Sequence, residues 1–217
     1  MIMAKETIIV FCAHNDDQII GAGGTLSRYS KEGKKVITVI FSYGEGSHPW
    51  LKRKEIIHTR VKESIKTKKI LGEEKLIFLG LRENNFKEDF IKKDVKKKII
   101  KLITKYCPSK IFTHSIDDPH PDHKDIYNLI TGITSKIDYK GHLFSFDVWN
   151  PINLRKRNSP RLVVDISKTF KNKIKAIKLH KSQKFAMFSL LWVVYSKAII
   201  NGLDSNCMYA EVFYKIR

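Results

Sequence analysis

Two short clusters of histidine and aspartate carry most of the chemistry that this sequence could perform. The first, His14-Asn15-Asp16-Asp17, directly follows an apolar run, and the second, His120-Pro121-Asp122-His123, lies about a hundred residues further on. Imidazole and carboxylate groups without thiolates suit Zn²⁺, Fe²⁺ or a similar divalent ion, and a catalytic zinc uses three protein ligands and one open position. We therefore predict a metal site whose ligands are His14, Asp17 and His123.

The neighbours of these ligands could complete a hydrolytic site. A divalent ion lowers the pKa of its bound water from 15.7 to roughly 7 and polarises a carbonyl oxygen, and amide hydrolysis needs both effects. Asp16 lies beside a predicted ligand but should point differently, so we predict that it acts as general base and then protonates the leaving amine. His120, with Asp122 as its charge partner, is predicted to stabilise the oxyanion. His114 and His180 are the other histidines expected to line the pocket.

Three glycines at positions 21, 23 and 24 raise the alternative of a dinucleotide site. The dinucleotide fingerprint expects a further glycine where this chain has Leu26, and several polar residues separate the apolar run from Gly21. A pyrophosphate would be badly placed there, which argues against a nicotinamide or flavin enzyme. We predict instead that the glycines let a helix approach the sheet closely.

Short runs rich in β-branched residues alternate with longer amphipathic segments, as in repeated βαβ units. The predicted strands of this part are Thr7–Ala13, Val36–Ser42, Lys75–Leu79 and Lys110–Thr113. The predicted helices are Gly21–Lys31, Leu51–Leu71, Phe86–Tyr106 and Lys124–Ser135. Later in the chain the pattern predicts strands at Leu143–Trp149, Leu162–Asp165 and Tyr209–Ile216, and a helix near Ser167–Lys184.

This alternation predicts an α/β fold of three layers, with a mainly parallel sheet between helices on both faces. The chain has 217 residues, 42% of them hydrophobic, and no linker or repeat interrupts it, so we expect one domain over residues 1–217. Loops at 14–18, 43–50 and 114–122 follow the carboxyl ends of strands and should converge at one edge of the sheet. The glycine-containing loop 43–50 is suited to a lid or a substrate wall.

The formal net charge of +19 indicates a surface that attracts anions. Many lysines lie in two helix-like stretches, 92–101 and 171–184, where solvated helix faces explain them best. A phosphorylated substrate or an anionic membrane surface is the next alternative. No nucleic-acid recognition motif is visible, and a homo-oligomer stays open.

Cysteine usage and the start of the chain favour a cytoplasmic protein. The three cysteines are an odd number without a CxxC pair, which fits a reducing compartment, and no signal peptide is recognisable. The segment 185–203 is nearly as long as a membrane span and holds a single charge, Lys197. The polar residues around this lysine favour a buried C-terminal element over membrane contact.

Two signatures resemble those of the LmbE-like, or PIG-L-type, zinc-dependent N-deacetylases. The sequence AHNDDQIIGAGGTL at 13–26 is similar to that family's AHPDDE-x-x-G-x-GGTL, and HPDH at 120–123 is identical to its second signature. Weaker similarities follow in order and extend the resemblance over nearly the whole chain. They are Arg60-x-x-Glu63, Leu71-Gly72, Leu79-Gly80-Leu81, Lys173-x-x-Ala176, His180-Lys181-Ser182-Gln183 and Glu211-x-Phe213.

The resemblance implies a Rossmann-like fold with zinc at the carboxyl ends of the strands, held by His14, Asp17 and His123. It also implies Asp16 as general base and His120 as electrostatic or acid partner. Three departures stand out: Asn15 replaces a proline, Gln18 a glutamate, and Arg82-Glu83 a frequent Pro-Asp pair. We expect Asn15 to loosen its turn, Gln18 to remove a charge near the site, and the Arg82-Glu83 change to alter substrate recognition.

The substrate implied by the resemblance is an N-acetylglucosamine conjugate, which would lose its acetyl group. Composition adds that an anionic or lipid-linked aglycone would suit the positive charge. Two alternatives remain at this point. One is a metal-dependent hydrolase of another amide, such as a mycothiol-conjugate-type amidase, and the other is a non-catalytic, basic protein that binds a sugar or a phosphate.

Overall fold

The computed structural model describes residues 5–47, 52–150 and 159–217. Its strands are β1 (Thr7–Cys12), β2 (Lys35–Ser42), β3 (Lys75–Leu81), β4 (Lys110–His114), β5 (His142–Phe146), β6 (Arg161–Asp165) and β7 (Ala210–Lys215). Its helices are α1 (Asp17–Lys31), α2 (Arg53–Leu71), α3 (Phe86–Lys92), α4 (Val95–Tyr106), α5 (Pro121–Lys136), α6 (Phe170–Leu179) and α7 (Lys184–Leu203). Short 3₁₀ turns cover Glu45–Ser47 and Lys181–Gln183.

The strands form one sheet in the order β3-β2-β1-β4-β5-β7-β6. The first five strands in this order are parallel to one another, while β7 runs antiparallel to both β5 and β6. The predicted mainly parallel sheet is therefore confirmed. Because β2 lies on one side of β1 and β4 on the other, the winding reverses between β1 and β4, and a crevice opens there at the carboxyl ends.

Two apolar cores confirm the three layers. One core joins the sheet to α1, α2, α6 and α7 through residues such as Leu26, Leu71, Ile177 and Leu190. The other joins the opposite face of the sheet to α3, α4 and α5. Strand β1 supplies both, because Ile8 and Val10 point to the first core and Ile9 and Phe11 to the second. The strand beneath the first histidine-aspartate cluster is thus completely buried, which holds its carboxyl end in place.

Both clusters lie at helix N-termini, earlier than the predicted helix starts. Helix α1 begins at Asp17 instead of Gly21, and α5 begins at Pro121 instead of Lys124. Proline fits the first helical position because its missing N–H would have no partner there, and the His120 ring accepts a hydrogen bond from the backbone of Asp122. The functional residues that the sequence pattern assigned to loops therefore belong to helix ends.

The predicted helix Phe86–Tyr106 is wrong as a single element. The chain leaves α3 after Lys92 and re-enters a helix at Val95, with Asp94 in the left-handed region at φ 48°. Aspartate tolerates that conformation better than most residues, so the break is compatible with the sequence. The predicted helix Ser167–Lys184 is shorter as well, because α6 ends at Leu179.

The glycines of α1 lie where the helix crosses the sheet. A Cβ atom on Gly21 would overlap the ring of Phe146 in β5, and one on Gly24 would lie 2.6 Å from the side chain of Ile166. This confirms that the glycines permit a close approach of helix and sheet.

Helix α7 is buried on one side only. Met187, Leu190 and Val194 face the core, whereas Phe188 and Trp192 are exposed. The expectation of a buried C-terminal element therefore holds for the inner face and fails for the outer one. Among the described residues, no helix has the length and apolar character needed to cross a bilayer.

Candidate active site

The two clusters meet in one cleft because β1 and β4 are neighbours. Ile8 pairs with Lys110 at the start of the two strands, and at their carboxyl ends the backbone N–H of Ala13 donates to Nε2 of His114 at 2.9 Å. The cleft has a volume of about 240 Å³. Its lining residues are His14, Asp16, Asp17, Ile20, Gly46, Arg60, Glu83, Asn84, His120, Asp122, Trp149, Gln183 and Met187.

The donor atoms of His14, Asp17 and His123 lie within 4.8 Å of one another. Asp17 is central, because its two carboxylate oxygens lie 3.5 Å from Nδ1 of His14 and 3.4 Å from Nε2 of His123. The backbone N–H of His14 also donates to Asp17 at 2.7 Å, which fixes that carboxylate. Two overlapping groups meet the same distance limit, His14-His120-Asp122 and His114-Asp118-His123.

The electrostatics of these residues fit a divalent cation. Burial by itself lowers the pKa of the His14 and His123 rings, but the surrounding carboxylates outweigh it and raise the pKa values to about 10 and about 9. Nε2 of His123 is completely buried and has no hydrogen-bond partner in the described part of the chain. A site that draws protons onto two buried imidazoles has an excess of negative charge, which a bound cation would neutralise.

Asp118 is a site residue that the sequence analysis missed. It is completely buried and lies 2.9 Å from Nδ1 of His123, and its other oxygen accepts hydrogen bonds from the backbone N–H groups of Val148 and Trp149. Burial opposes ionisation, yet the contact with His123 lowers the pKa of Asp118 well below its usual range. A carboxylate on the far nitrogen of a metal-binding histidine is a common support. Asp118 lies five residues before His123 and outside the HPDH signature, so nothing in the sequence marks it as a site residue.

His114 and His180 are close to the site but do not line the cleft. The ring of His114 stacks on that of His123, with centroids 3.8 Å apart, and is completely buried. Burial and the adjacent His123 lower the pKa of His114 to about 4. His180 is buried beside Glu63, 3.7 Å away. The prediction that these two histidines line the pocket is therefore wrong: His114 packs behind His123, and His180 lies beside Glu63.

Arg60 connects the predicted base to two other segments. Its guanidinium donates to Asp16 at 3.1 Å, to Asn15 Oδ1 at 2.7 Å and to the carbonyl oxygen of Gly44 at 2.7 Å. Arg60 is 2% exposed, so these hydrogen bonds form away from bulk water. One oxygen of Asp16 is thereby fixed, in a cleft that both residues line.

The expectation that Asn15 loosens its turn is not met. Its side-chain amide donates to the carbonyl oxygen of Arg60 and to Oγ of Ser64, both at 2.9 Å, and its oxygen accepts from Arg60. The side chain therefore ties the turn to α2, which a proline could not do. Gln18 is also completely buried, where its side-chain oxygen accepts a hydrogen bond from the thiol of Cys12. An uncharged amide therefore lies beneath the turn at the position where the family has a glutamate.

His120 and Asp122 do not form the predicted pair through their side chains. Nδ1 of His120 accepts from the backbone N–H of Asp122 at 3.2 Å, so a neutral ring carries its proton on Nε2. Burial, followed by the neighbouring His123 and His14, lowers the pKa of His120 and favours this neutral form. The Asp122 carboxylate instead accepts from the backbone of Asn84 and lies 3.3 Å from Nε2 of His14.

The Arg82-Glu83 departure places a new carboxylate in the cleft. Glu83 lies 3.5 Å from Nε2 of His14 and accepts a hydrogen bond from the backbone N–H of Gly46. Burial raises the pKa of Glu83, and the nearby His14 partly opposes this. Arg82 turns away and binds Asp89. Gly46 makes the loop 43–50 part of the cleft wall, while positions 48–50 lie outside the described residues.

Several residues of the weaker sequence similarities support the elements that carry the site. Glu63 accepts from both the backbone N–H and the hydroxyl of Ser182, which joins α2 to the turn before α7. Lys173 and Glu211 form a buried ion pair at 2.6 Å, and the lysine also donates to the carbonyl oxygen of Ile20 in α1. The second oxygen of Glu211 accepts from the backbone N–H of Thr25. These contacts hold α1, which carries Asp17 at its start.

Comparison with known proteins gives a family match and similar proteins. The family model described as "PIG-L: GlcNAc-PI de-N-acetylase" matches residues 9–134. A Bacillus cereus protein named "Probable N-acetyl-alpha-D-glucosaminyl L-malate deacetylase 2" is 26% identical over 85% of this chain and 86% of its own length. The diacetylchitobiose deacetylase of Thermococcus kodakarensis is 25% identical over 91% of this chain and 78% of its own length.

The fold is shared more widely. The 4-carboxy-2-hydroxymuconate hydratase GalB of Pseudomonas putida KT2440 superimposes with a TM-score of 0.82 at 19% identity, over 98% of this chain and 96% of that one. At this identity the likeness concerns the fold alone, because one fold can carry different reactions. The reaction must therefore be argued from the residues in the cleft.

Proposed function

The chain belongs to the PIG-L family, and we propose that it is a zinc-dependent N-deacetylase that releases acetate and a free amine from an N-acetylglucosamine-containing substrate. One observation carries the proposal: His14, Asp17 and His123 converge at the cleft where Asp16 and His120 also lie. Imidazole and carboxylate donors of this kind suit a catalytic metal ion, and the two other residues suit proton transfer and charge stabilisation.

In this proposal His14, Asp17 and His123 hold the metal. The donor set suits Zn²⁺ best and would also accept Fe²⁺. When bound, the ion supplies Lewis acidity and increases the acidity of water at the site. Asp118 holds the His123 ring from its Nδ1 side, which leaves Nε2 directed at Asp17. His114, stacked on the same ring, prevents it from tilting.

Asp16 serves as the proton carrier. Arg60 fixes one of its oxygens, so the other is free to accept a proton from the attacking water as the oxygen adds to the amide carbon. The same carboxyl group then delivers the proton to the departing nitrogen, which leaves as the amine.

His120 stabilises the charge that develops on the amide oxygen. Because its Nδ1 accepts from the backbone of Asp122, the neutral ring presents an Nε2–H donor. A hydrogen bond from this donor strengthens as the carbonyl oxygen becomes an oxyanion, so it favours the transition state over the bound substrate. The backbone contact also fixes the orientation of the donor before the substrate arrives.

The size and the polar lining of the cleft suit a small polar group, which would be the part of the substrate that binds there. Its volume of about 240 Å³ is below the roughly 300–1,000 Å³ of most ligand sites, so it suits the reacting end of a conjugate better than the whole molecule. Asp122 and Glu83 offer carboxylate oxygens to sugar hydroxyl groups, and Trp149 offers an apolar surface. The two curated relatives are named for N-acetylglucosaminyl and diacetylchitobiose substrates, which fits this class. The net charge of +19 further supports an anionic aglycone.

The proposal also includes the cell compartment. The thiols of Cys12, Cys107 and Cys207 are all free, which supports a reducing environment such as the cytoplasm.

Acetate release from N-acetylglucosamine conjugates tests the reaction. We expect turnover that a chelator abolishes and Zn²⁺ restores, and a decrease in kcat of about 10²–10⁴-fold in Asp16→Asn, the usual contribution of a general base. Asp94→Asn is the matched control and should keep full activity. It replaces an exposed carboxylate between α3 and α4, on the other face of the sheet from α1. Turnover that survives the chelator, or full activity of Asp16→Asn, would disprove the proposal.

The same assay separates the two alternatives from the sequence analysis. An amidase of the mycothiol-conjugate type would release a larger fragment and little acetate. A non-catalytic sugar- or phosphate-binding protein would bind the conjugate without any turnover, whatever the residue at position 16.

A further inference from the structure

The outer face of α7 is an apolar stripe directed at solvent. Phe188, Trp192, Tyr195, Ile199 and Leu203 follow one another at intervals of three or four residues, which places them on one side of a helix. Phe188 is 78% exposed, Trp192 62% and Leu203 73%. With a rise of about 1.5 Å per residue, the stripe runs for roughly 20 Å or more. Apolar patches of this extent on a protein surface usually mark a site of interaction.

The most exposed residues of the stripe, Phe188, Trp192 and Leu203, do not belong to the core. The opposite side of α7 is buried through Met187, Leu190, Val193, Val194 and Ala198, and these residues attach the helix to the rest of the protein. Phe188, Trp192 and Leu203 could therefore be polar without loss of the fold. Their apolar character points to a partner.

Lysines are frequent in α6 and at the start of α7, and the nearest acidic residues in sequence are Asp165 before α6 and Asp204 after α7. Residues 166–203 contain eight lysines and no aspartate or glutamate. In α6, Lys171, Lys175 and Lys178 are all exposed and share the outward face, since they are four and three residues apart. Lys184 is exposed one turn before Phe188 on α7 itself.

Helix α6 lies against α7, so the lysine face and the apolar stripe adjoin. The ring of Phe170, at the start of α6, meets the ring of Tyr195 edge-on, with centroids 5.1 Å apart. Both helices belong to the same layer and share one core. The combined surface has a row of positive charges beside a row of large apolar side chains.

We propose that this surface docks on an anionic phospholipid bilayer, with α7 lying along the interface and its stripe inserted between the headgroups. Basic residues beside an apolar helix face are the combination that binds such membranes. A second copy of the chain fits less well, because its own lysines would oppose those of the first across the contact, on a protein of net charge +19.

The docking surface borders the candidate active site. Gln183, just before α7, and Met187, in its first turn, both line the cleft. The exposed stripe begins at Phe188, the residue after Met187. A docked molecule would therefore hold the cleft next to the headgroup layer. The docking proposal does not depend on the deacetylase proposal, since it concerns binding to vesicles without a substrate.

Co-sedimentation of the full chain with vesicles tests the docking. We expect binding to phosphatidylcholine vesicles that contain phosphatidylglycerol, weak binding to pure phosphatidylcholine, and release at high salt. The double variant Phe188→Ser/Trp192→Ser should lose binding. Ile91→Ser, which changes an 84% exposed isoleucine in α3 on the other side of the sheet, should retain it.

A second pair of variants separates local docking from attraction by total charge. Replacing Lys171, Lys175 and Lys178 by Gln should weaken vesicle binding about a hundredfold, since each lysine near an anionic bilayer is worth about fivefold. The same replacement of Lys96, Lys98 and Lys101, exposed on α4 in the opposite layer, removes equal charge and should change binding little.

Three outcomes would overturn the proposal. They are no binding to anionic vesicles at low salt, equal losses in the two lysine variants, and an oligomer in solution that the Phe188→Ser/Trp192→Ser variant dissociates while vesicle binding is absent. Circular dichroism and thermal unfolding of every variant establish that the fold is retained, so that a loss of binding is read as a loss of the surface.

Discussion

The carboxylate of Asp118 lies 2.9 Å from Nδ1 of His123, on the opposite side of the ring from Asp17. Both residues are completely buried, and two backbone N–H groups, of Val148 and Trp149, hold the second oxygen of Asp118. The orientation of a predicted metal ligand is thereby tied to the segment after β5. The histidine and its support come from opposite sides of a helix start, which gives the ring little freedom to rotate.

Asp118→Asn should weaken zinc binding by about 10–100-fold, because an amide holds the His123 ring less firmly and does not increase its basicity. Competition with a chromophoric chelator measures the affinity. Asp125→Asn is the control and should bind zinc normally, because it removes a half-buried carboxylate of α5 that contacts exposed Lys87 in α3. Equal affinity in the Asp118 variant and the unchanged protein would contradict this role.

Arg60→Lys should reduce kcat about a hundredfold while zinc binding persists. A lysine cannot make the three hydrogen bonds that join Asp16, Asn15 and Gly44, and a small displacement of a catalytic group costs about this much. Steady-state kinetics together with measured zinc content give the result. Arg53→Lys, an exposed position on the same helix, should behave like the unchanged protein. A variant that loses zinc along with activity would instead indicate a general collapse of the turn.

Glu73→Gln should stabilise the protein at alkaline pH. Burial raises the pKa of this carboxyl group to about 7, against 4.5 in the unfolded chain, even though Thr38 donates a hydrogen bond to it. Between these pH values the folded state binds a proton that the unfolded state has lost, so stability falls as pH rises through the window. Above about pH 7, ionisation of the buried Glu73 lowers the free energy of unfolding by up to about 3 kcal/mol. Glutamine does not ionise and avoids this loss.

Chemical denaturation at pH 4 and pH 8 measures this effect. The Glu73 variant should gain stability relative to the unchanged protein at the higher pH and much less at the lower. Glu74→Gln alters the adjacent, exposed carboxylate that pairs with Lys35, and its stability difference should vary little with pH. A Glu73 variant whose advantage is the same at both pH values would show that ionisation is not the cause.

Lys173→Met should lower the free energy of unfolding by about 3–5 kcal/mol, because it leaves Glu211 charged and unpaired in the interior. The double variant Lys173→Met/Glu211→Leu should recover part of the loss. Urea denaturation provides the values, and Lys175→Met on the exposed face of α6 is the control. If the single and double variants were equally unstable, the two residues would not act as a pair.

Much of the site was readable from the sequence, since residue types and spacing predict it. His14, Asp16 and Asp17 follow a buried strand, and HPDH begins a helix after another, so the fold that brings the strands together brings the clusters together. What spacing could not give was side-chain direction. Asp122 was expected beside His120, but its carboxylate faces His14, because the first turn of α5 directs it across the cleft.

The supporting residues were harder to predict because nothing local marks them. Asp118 lies in an irregular loop and is recognised only by what surrounds it. Asn15 lacks the rigidity of proline, and its hydrogen bonds to Arg60 and Ser64 depend on how α2 packs. The break between α3 and α4 is similar, since one left-handed residue, Asp94, interrupts an otherwise helical pattern.

The pairing of β1 with β4 has a consequence for how the protein matures. Ala13 and His114, joined by a hydrogen bond, are 101 residues apart, so closing this loop is among the larger entropic costs of folding. A divalent ion held by His14, Asp17 and His123 would stabilise the closed loop, because its ligands come together only after β1 and β4 have paired. The free energy of unfolding would then increase with the logarithm of the free ion concentration, so metal supply would govern the stability of the folded chain as well as its turnover.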